Sequence, residues 1–204
     1  MVAADPSSSS IDPRYLQALG KRLSEPPPLG PPIHEDISVR WIDIGKEGLP
    51  EDERKDLLAR FPIPENCPFL VPPKLNEELR ASLTKDQLQR DDRISSKAAK
   101  LGTCLAITGK ILSELSTIPD PNQKEESLFS DLGTQGRLLM DLFHDESNIR
   151  RSLVLSVVNP SMKDSLASTS IGDKLFGSDL EQTIKSAKAL QATSKALQKT
   201  TKES

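Results

Sequence analysis

Four side chains in this sequence could act as soft metal ligands or as a nucleophile and its base: His34, Cys67, Cys104 and His144. Zinc sites need such residues in closely spaced pairs, and thiol catalysis needs a cation beside the cysteine. These four are widely separated, and no cation neighbours Cys67. We therefore predict no metal, no cofactor, no small-molecule substrate and no enzyme activity. Cys104 is predicted to be a small core residue, and His144 a surface residue near a helix end.

Two other groups of residues fit structural roles better than chemical ones. The run Gly133-Thr134-Gln135-Gly136-Arg137 lacks the Gly-Lys-Ser/Thr ending and the preceding strand of a phosphate loop. Its glycines predict a helix kink or a close helix crossing. The carboxylates of Glu51-Asp52-Glu53 predict a helix first turn, and those of Asp91-Asp92 predict a solvated face.

A long helix in the middle of the chain is the element that must position everything else. Thr84 and Gln87 form a capping-box pattern that predicts its start, and Pro119 and Pro121 predict its end. Small or apolar residues recur along it with a 4-3-4-3 spacing, which is typical of a helix packed against other helices along its length. We predict that this stripe mediates helix packing and self-association; the pattern leaves open whether it faces its own chain or another copy. The stripe consists of Ile94, Ala98, Leu101, Leu105, Thr108, Leu112 and Leu115.

An apolar tract rich in proline precedes this helix, at residues 61–73. Proline excludes both a helix and a central strand there. The tract is nevertheless too apolar to be left in water, so we predict an extended arm lying in a groove of this chain or of a neighbouring copy. The docking residues are Phe61, Ile63, Phe69, Leu70 and Val71.

Shorter patterns predict the remaining elements. Residues 37–41 alternate like a strand, with an extended docking segment as the alternative, and a short helix begins at Pro50 and stops at Pro62. Asn122 predicts the cap of a second long helix that glycines interrupt, and Ser178 with Glu181 predicts a C-terminal helix. The apolar residues of the second helix are Leu128, Leu132, Leu139, Leu142 and Phe143, and those of a separate third helix are Ile149, Leu153, Val154 and Val157.

These patterns predict an all-α fold: a helical bundle with one long heptad-patterned helix, preceded by a proline-rich arm. Residues 1–33 form a disordered tail rich in proline and serine, and 34–80 form the arm with one short helix. Residues 81–192 form the bundle, and 193–204 form a frayed, lysine-rich tail. The two distant cysteines favour a reducing compartment, cytoplasmic or nuclear. The net charge of -3 predicts no global basic field that would attract nucleic acid. No secretory signal or membrane span is evident, so we predict no membrane association.

The C-terminal lysines form one basic stripe on a helix. Such a stripe can contact the phosphates of RNA or DNA, although it lacks the arginines and aromatics common at such sites. The alternative is that these lysines only solvate an exposed helix. The stripe consists of Lys185, Lys188, Lys195, Lys199 and Lys202.

The arm contains a tract of the form P-x-P-x-N-C-x-x-L-x-x-P-K-x-N, formed by Pro62, Pro64, Asn66, Cys67, Leu70, Pro73, Lys74 and Asn76. It resembles the gag-like first-reading-frame proteins of animal retrotransposons, those of the DIRS type with tyrosine recombinases, over roughly residues 41–200. The resemblance implies a self-associating structural protein that packages element RNA or accompanies replication intermediates, in an element or in a host gene derived from one. The chain departs from a standard gag protein because it has no zinc knuckle.

Three hypotheses follow. The first is a non-enzymatic, gag-like homo-oligomer with a weak lysine contact to nucleic acid. The second is a monomeric adaptor that binds a partner through its N-terminal proline segments, which include the P-x-x-P spacing of Pro28 and Pro31. The third is a nucleic-acid-binding accessory factor that uses the lysine tail.

Overall fold

The computed structural model describes residues 12, 14, 15 and 29–199, with side chains to residue 194. The chain divides into two compact units, Met1–Leu49 and Pro50–Ser204. Residues 29–199 contain helices and no strand, which confirms the predicted all-α class. Most of the predicted N-terminal tail, including Pro28, lies outside the described residues. Within residues 29–199 the α-helices are α1 (Glu35–Glu47), α2 (Glu51–Arg60), α3 (Glu77–Arg80), α4 (Lys85–Leu115), α5 (Gln123–Leu155), α6 (Pro160–Ala167) and α7 (Leu180–Lys199).

The first unit contains α1, where the predicted strand or extended segment at residues 37–41 was wrong. The ring nitrogen Nδ1 of His34 accepts a hydrogen bond from the backbone N–H of Asp36, and acidic residues occupy the first turn. Ile37, Trp41 and Ile44 follow a helical i, i+4, i+7 spacing, which over this length outweighs the local alternation. All three side chains are exposed.

In the second unit, α4 begins where the capping box predicted. The hydroxyl of Thr84 accepts from the N–H of Gln87, and the Gln87 side chain accepts from the N–H of Thr84. The predicted short helix is α2, which begins after Pro50. Its end at Arg60, before Pro62, also agrees with the sequence.

The predicted second and third long helices are one continuous helix, α5, so the break between them was wrong. Asn122 caps its start as predicted, with Glu125 completing a capping box. Gly133 and Gly136 lie inside the helix, at a cost of roughly 1 kcal/mol each relative to alanine. Packing of α5 along α4 outweighs that cost: Thr108 on α4 approaches so closely that a methyl group at position 136 would touch its Cγ2 at 3.5 Å.

The apolar core lies where the base of the α4–α5 hairpin meets α3, α6 and the first turns of α7. Leu180 is fully buried there, although α7 begins one residue later than the Ser178 capping box predicted, with Asp179 at the cap position. A hydrogen bond from the N–H of Thr183 to the carbonyl of Asp179 closes this first turn. The core residues are Leu75, Leu79, Leu83, Val154, Leu166, Leu175, Phe176 and Leu180.

Candidate interaction surface

The proline-rich arm lies on α4 of its own chain. A short 3-10 turn, Pro68–Leu70, interrupts its extended course, and Leu70 is buried. The Leu70 carbonyl packs directly over Gly102 on α4: a Cβ atom at position 102 would overlap the carbonyl oxygen and would lie 3.6 Å from the Ile63 side chain. The absence of a side chain at Gly102 therefore allows the arm backbone to pack directly against α4.

The arm was predicted to be fully covered, and two of its residues are not. Phe61 and Ile63 are half-buried, but Phe69 and Val71 are exposed. They line an open groove of about 810 Å³ between the arm, α5 and the loop before α7. The 3-10 turn causes this, because it turns Leu70 inward and its neighbours outward.

A buried ion pair fixes the far end of the arm to both long helices. Arg150 on α5 makes a bidentate contact with Asp91 on α4, with Nε–Oδ1 at 2.7 Å and Nη2–Oδ2 at 3.0 Å. Its Nη1 donates to the carbonyl of Pro73 at 2.6 Å. Asp91 was predicted to lie on a solvated face and is only 3% exposed, so that prediction was wrong. Its position three residues before Ile94, on the extension of the apolar stripe, is the signal that could have identified it.

The next residue, Arg151, closes the end of α6. Its guanidinium donates to the carbonyls of Ala167 at 2.9 Å, Thr169 at 2.9 Å and Leu175 at 2.8 Å. It also lies 4.5 Å from the ring centre of Phe176. The last carbonyls of a helix have no hydrogen-bond donor within the helix. At the end of α6 the guanidinium of Arg151 is that donor. Burial lowers the pKa of this guanidinium.

Asn76 ties the arm to the loop that precedes α7. Its side-chain amide donates to the Gly177 carbonyl at 2.8 Å and its oxygen accepts from the Phe176 N–H at 3.0 Å. An isolated parallel bridge joins Lys74 to Lys174 beside it. Asn76 is 1% exposed, so its amide would be costly to bury without these partners.

The predicted heptad stripe of α4 divides into two parts. Ile94, Ala98 and Thr108 are buried, and α4 packs along α5 of its own chain. Gly102 and Ala106, which are not in the predicted stripe, are also buried, because the arm and α5 cover two adjoining sides of the helix. The remaining stripe residues, Leu101, Leu105, Leu112 and Leu115, are half-buried.

A row of exposed apolar side chains also lies on α5. Leu138, Leu142 and Ile149 are 62%, 51% and 48% exposed. Their spacing of four and seven residues places them in one row along the helix. Beside them on α4 is a row of exposed cations, Arg93, Lys97 and Lys100, and Lys97 lies 3.8 Å from Glu146 of α5. We call these two rows together the α4–α5 face.

A family defined as a domain of unknown function, DUF8747, matches residues 31–178. The chain belongs to the DUF8747 family. No curated protein and no solved structure matches the chain. The DUF8747 region includes the arm, the Asp91–Arg150 pair and the α4–α5 face, and it ends before α7 begins.

The predicted lysine stripe therefore lies beyond the DUF8747 region. Lys185 and Lys188 are exposed on α7, and Lys185 pairs with Glu181 at 2.7 Å. The described part of the chain does not include the side chains of Lys195 and Lys199. Lys202 lies wholly outside it. An exposed pair of this kind contributes little to stability.

The candidate chemical residues Cys67, Cys104 and His144 lie in the second unit, and His34 caps α1 in the first. Cys104 is exposed, so its predicted core position was wrong, and Cys67 is half-buried. His144 lies in the middle of α5, not near a helix end, with its Nε2 2.9 Å from the Asn148 amide. Among the residues described, no three metal-ligating side chains cluster, and no helix is long and apolar enough to cross a membrane.

Proposed function

We propose that this DUF8747 protein is a non-enzymatic, self-associating structural protein, gag-like in character, whose arm is part of its own fold. Two of the residues that carry the gag-like resemblance, Leu70 and Asn76, are buried in the contacts that hold the arm. The resemblance therefore involves residues that build the scaffold, which is consistent with a structural role.

The observation that supports self-association best is the α4–α5 face. Contiguous exposed apolar patches are typical of protein interfaces. Leu138 and Ile149, at the two ends of the row, are 11 residue steps apart on α5, which at 1.5 Å per residue is about 16 Å. The row is long enough for a helix of another copy to pack along it.

Replacing Leu142 by aspartate tests this proposal. We expect the wild-type full chain to form a dimer or larger assembly in light scattering across a concentration series, and Leu142→Asp to shift it towards monomer by at least tenfold in dissociation constant. The physical reason is that a carboxylate in an apolar contact loses its hydration. Leu190→Asp is the matched control, since Leu190 is an exposed leucine on α7.

Either of two results would contradict the proposal. A wild-type chain that is monomeric at every concentration would favour the monomeric adaptor instead. An assembly that resists Leu142→Asp would exclude the α4–α5 face. Leu105→Asp and Leu112→Asp are less informative, because both leucines are half-buried against the hairpin and their replacement disturbs the fold itself.

The lysine-rich α7 is proposed as a weak electrostatic contact to RNA or DNA. We expect the replacement of Lys188, Lys195 and Lys199 by glutamate to weaken RNA binding. The slope of log K against log salt concentration should become less steep, by roughly one for each phosphate that the lysines no longer neutralise. The control reverses Lys46, Lys55 and Lys110, exposed lysines on other helices, so that net charge changes equally. Equal affinities for the two triple variants in a fluorescence-anisotropy titration would remove the proposal.

A further inference from the structure

The α4–α5 face has charges on both sides of its apolar row, and their signs differ. On the α4 side lie the exposed cations Arg90, Arg93, Lys97 and Lys100, of which Arg90 lines a groove with Ile149 of α5. On the far side lie Asp141 and Asp145 of α5, both exposed. Glu146 fixes the direction, because its contact with Lys97 marks the α4 side and Asp145 precedes it by about 100° of helix rotation. Across the face the order is therefore cation, apolar row, carboxylate.

This order restricts how two copies can pair through the face. A two-fold axis parallel to α5 brings the cations of each copy opposite the carboxylates of the other. A two-fold axis across α5 would instead bring cations opposite cations. Like charges directly opposed across an interface are unfavourable, so the parallel arrangement is preferred.

The positions of the charged residues along the axis of α5 agree with the parallel arrangement. Lys97 lies level with Glu146, which is one residue, about 1.5 Å, from Asp145. In a parallel pair equivalent residues lie at equal heights, so Lys97 of one copy faces Asp145 of the other, twice. The apolar residues pair with their own counterparts, Leu138 with Leu138, Leu142 with Leu142 and Ile149 with Ile149.

We infer that two copies of this chain pair in parallel through the α4–α5 face, joined by the apolar row and by Lys97–Asp145 ion pairs between copies. This inference rests on the proposed self-association and adds its orientation and its charge specificity. Asp145 lies at the edge of the apolar row, in a groove that Ile149 and the α4 cation Arg90 of the same chain also line. Among the described residues no ion pair joins Asp145 to Arg90, so the carboxylate is open to Lys97 of the second copy.

Cross-linking of single cysteines distinguishes the orientation. In the full chain with Cys67→Ser and Cys104→Ser, we expect Leu138→Cys and Ile149→Cys each to give a covalent dimer with a short bismaleimide when tested alone. An antiparallel pair would give little product from either variant alone and efficient product from their mixture. That second pattern would overturn the inference while leaving self-association intact, whereas absence of any dimer by light scattering would remove both.

A charge swap provides the independent test. We expect Lys97→Asp and Asp145→Lys each to weaken the dimer about tenfold or more, and the double variant to recover most of that affinity because the pair between copies is restored with reversed sign. Circular dichroism checks that both exposed substitutions leave the helices intact. A double variant no tighter than the weaker single variant, in a chain that still dimerises, would show that these two residues do not meet.

Discussion

Arg150→Met lowers the free energy of unfolding by about 3–5 kcal/mol, the cost of breaking a buried ion pair by removing one partner. The change keeps much of the side-chain volume but leaves the Asp91 carboxylate buried without a cation and frees the Pro73 carbonyl. Since single domains are stable by only about 5–15 kcal/mol, the loss is a large fraction of the total. Chemical denaturation followed by circular dichroism measures it.

Arg137→Met is the matched control, because Arg137 is an exposed arginine on the same helix. We expect a change within about 0.5 kcal/mol there. The double variant Asp91→Leu with Arg150→Met removes both charges and should recover part of the stability lost in the single variant. A single Arg150→Met variant as stable as the Arg137→Met control would mean that the pair is not buried in solution.

Local signals in the sequence were enough to predict much of the fold. Thr84 with Gln87 and Asn122 with Glu125 each form a complete capping box, and both predicted helix starts are correct. Capping depends on residues within one turn, so a single sequence contains the information needed. Pro62 likewise ends α2 through its effect on neighbouring backbone alone.

The predictions that were wrong relied on a short local pattern that other interactions outweigh. The glycines at 133 and 136 weaken α5 locally, but packing along α4 sustains the helix through them. Residues 37–41 form α1, whose first turn carries acidic residues and is capped by the His34 side chain. For α5 the deciding interaction is packing between helices, whereas for α1 it is the capped first turn that precedes the strand-like residues.

The polar contacts that hold the domain were the least predictable part. Asp91 and Arg150 are separated by 59 residues, and as single charged residues they are typical of a helix surface. Only the fold brings them together. The arm could be predicted because its prolines and apolar residues leave few alternatives, but the glycine that receives it could not be distinguished from a weak point in a helix.

That glycine gives the second large effect. Gly102→Ala places a methyl carbon well inside contact distance of the Leu70 carbonyl oxygen, and the opposing atoms belong to backbone and cannot rotate away. We expect the arm to be displaced from α4, at a cost of about 1–3 kcal/mol as for other overpacked sites, with faster proteolytic cleavage in residues 61–73. Urea unfolding and limited proteolysis measure the two consequences.

Gly109→Ala on the same helix separates this steric effect from helix propensity. A methyl group there meets no other atom within 4 Å, so the substitution should stabilise α4 by up to about 1 kcal/mol. The two changes are chemically identical and lie two turns apart, yet they are expected to have opposite signs. Stabilisation by both would mean that the arm does not rest on Gly102, and the docking of residues 61–73 on α4 would then be wrong.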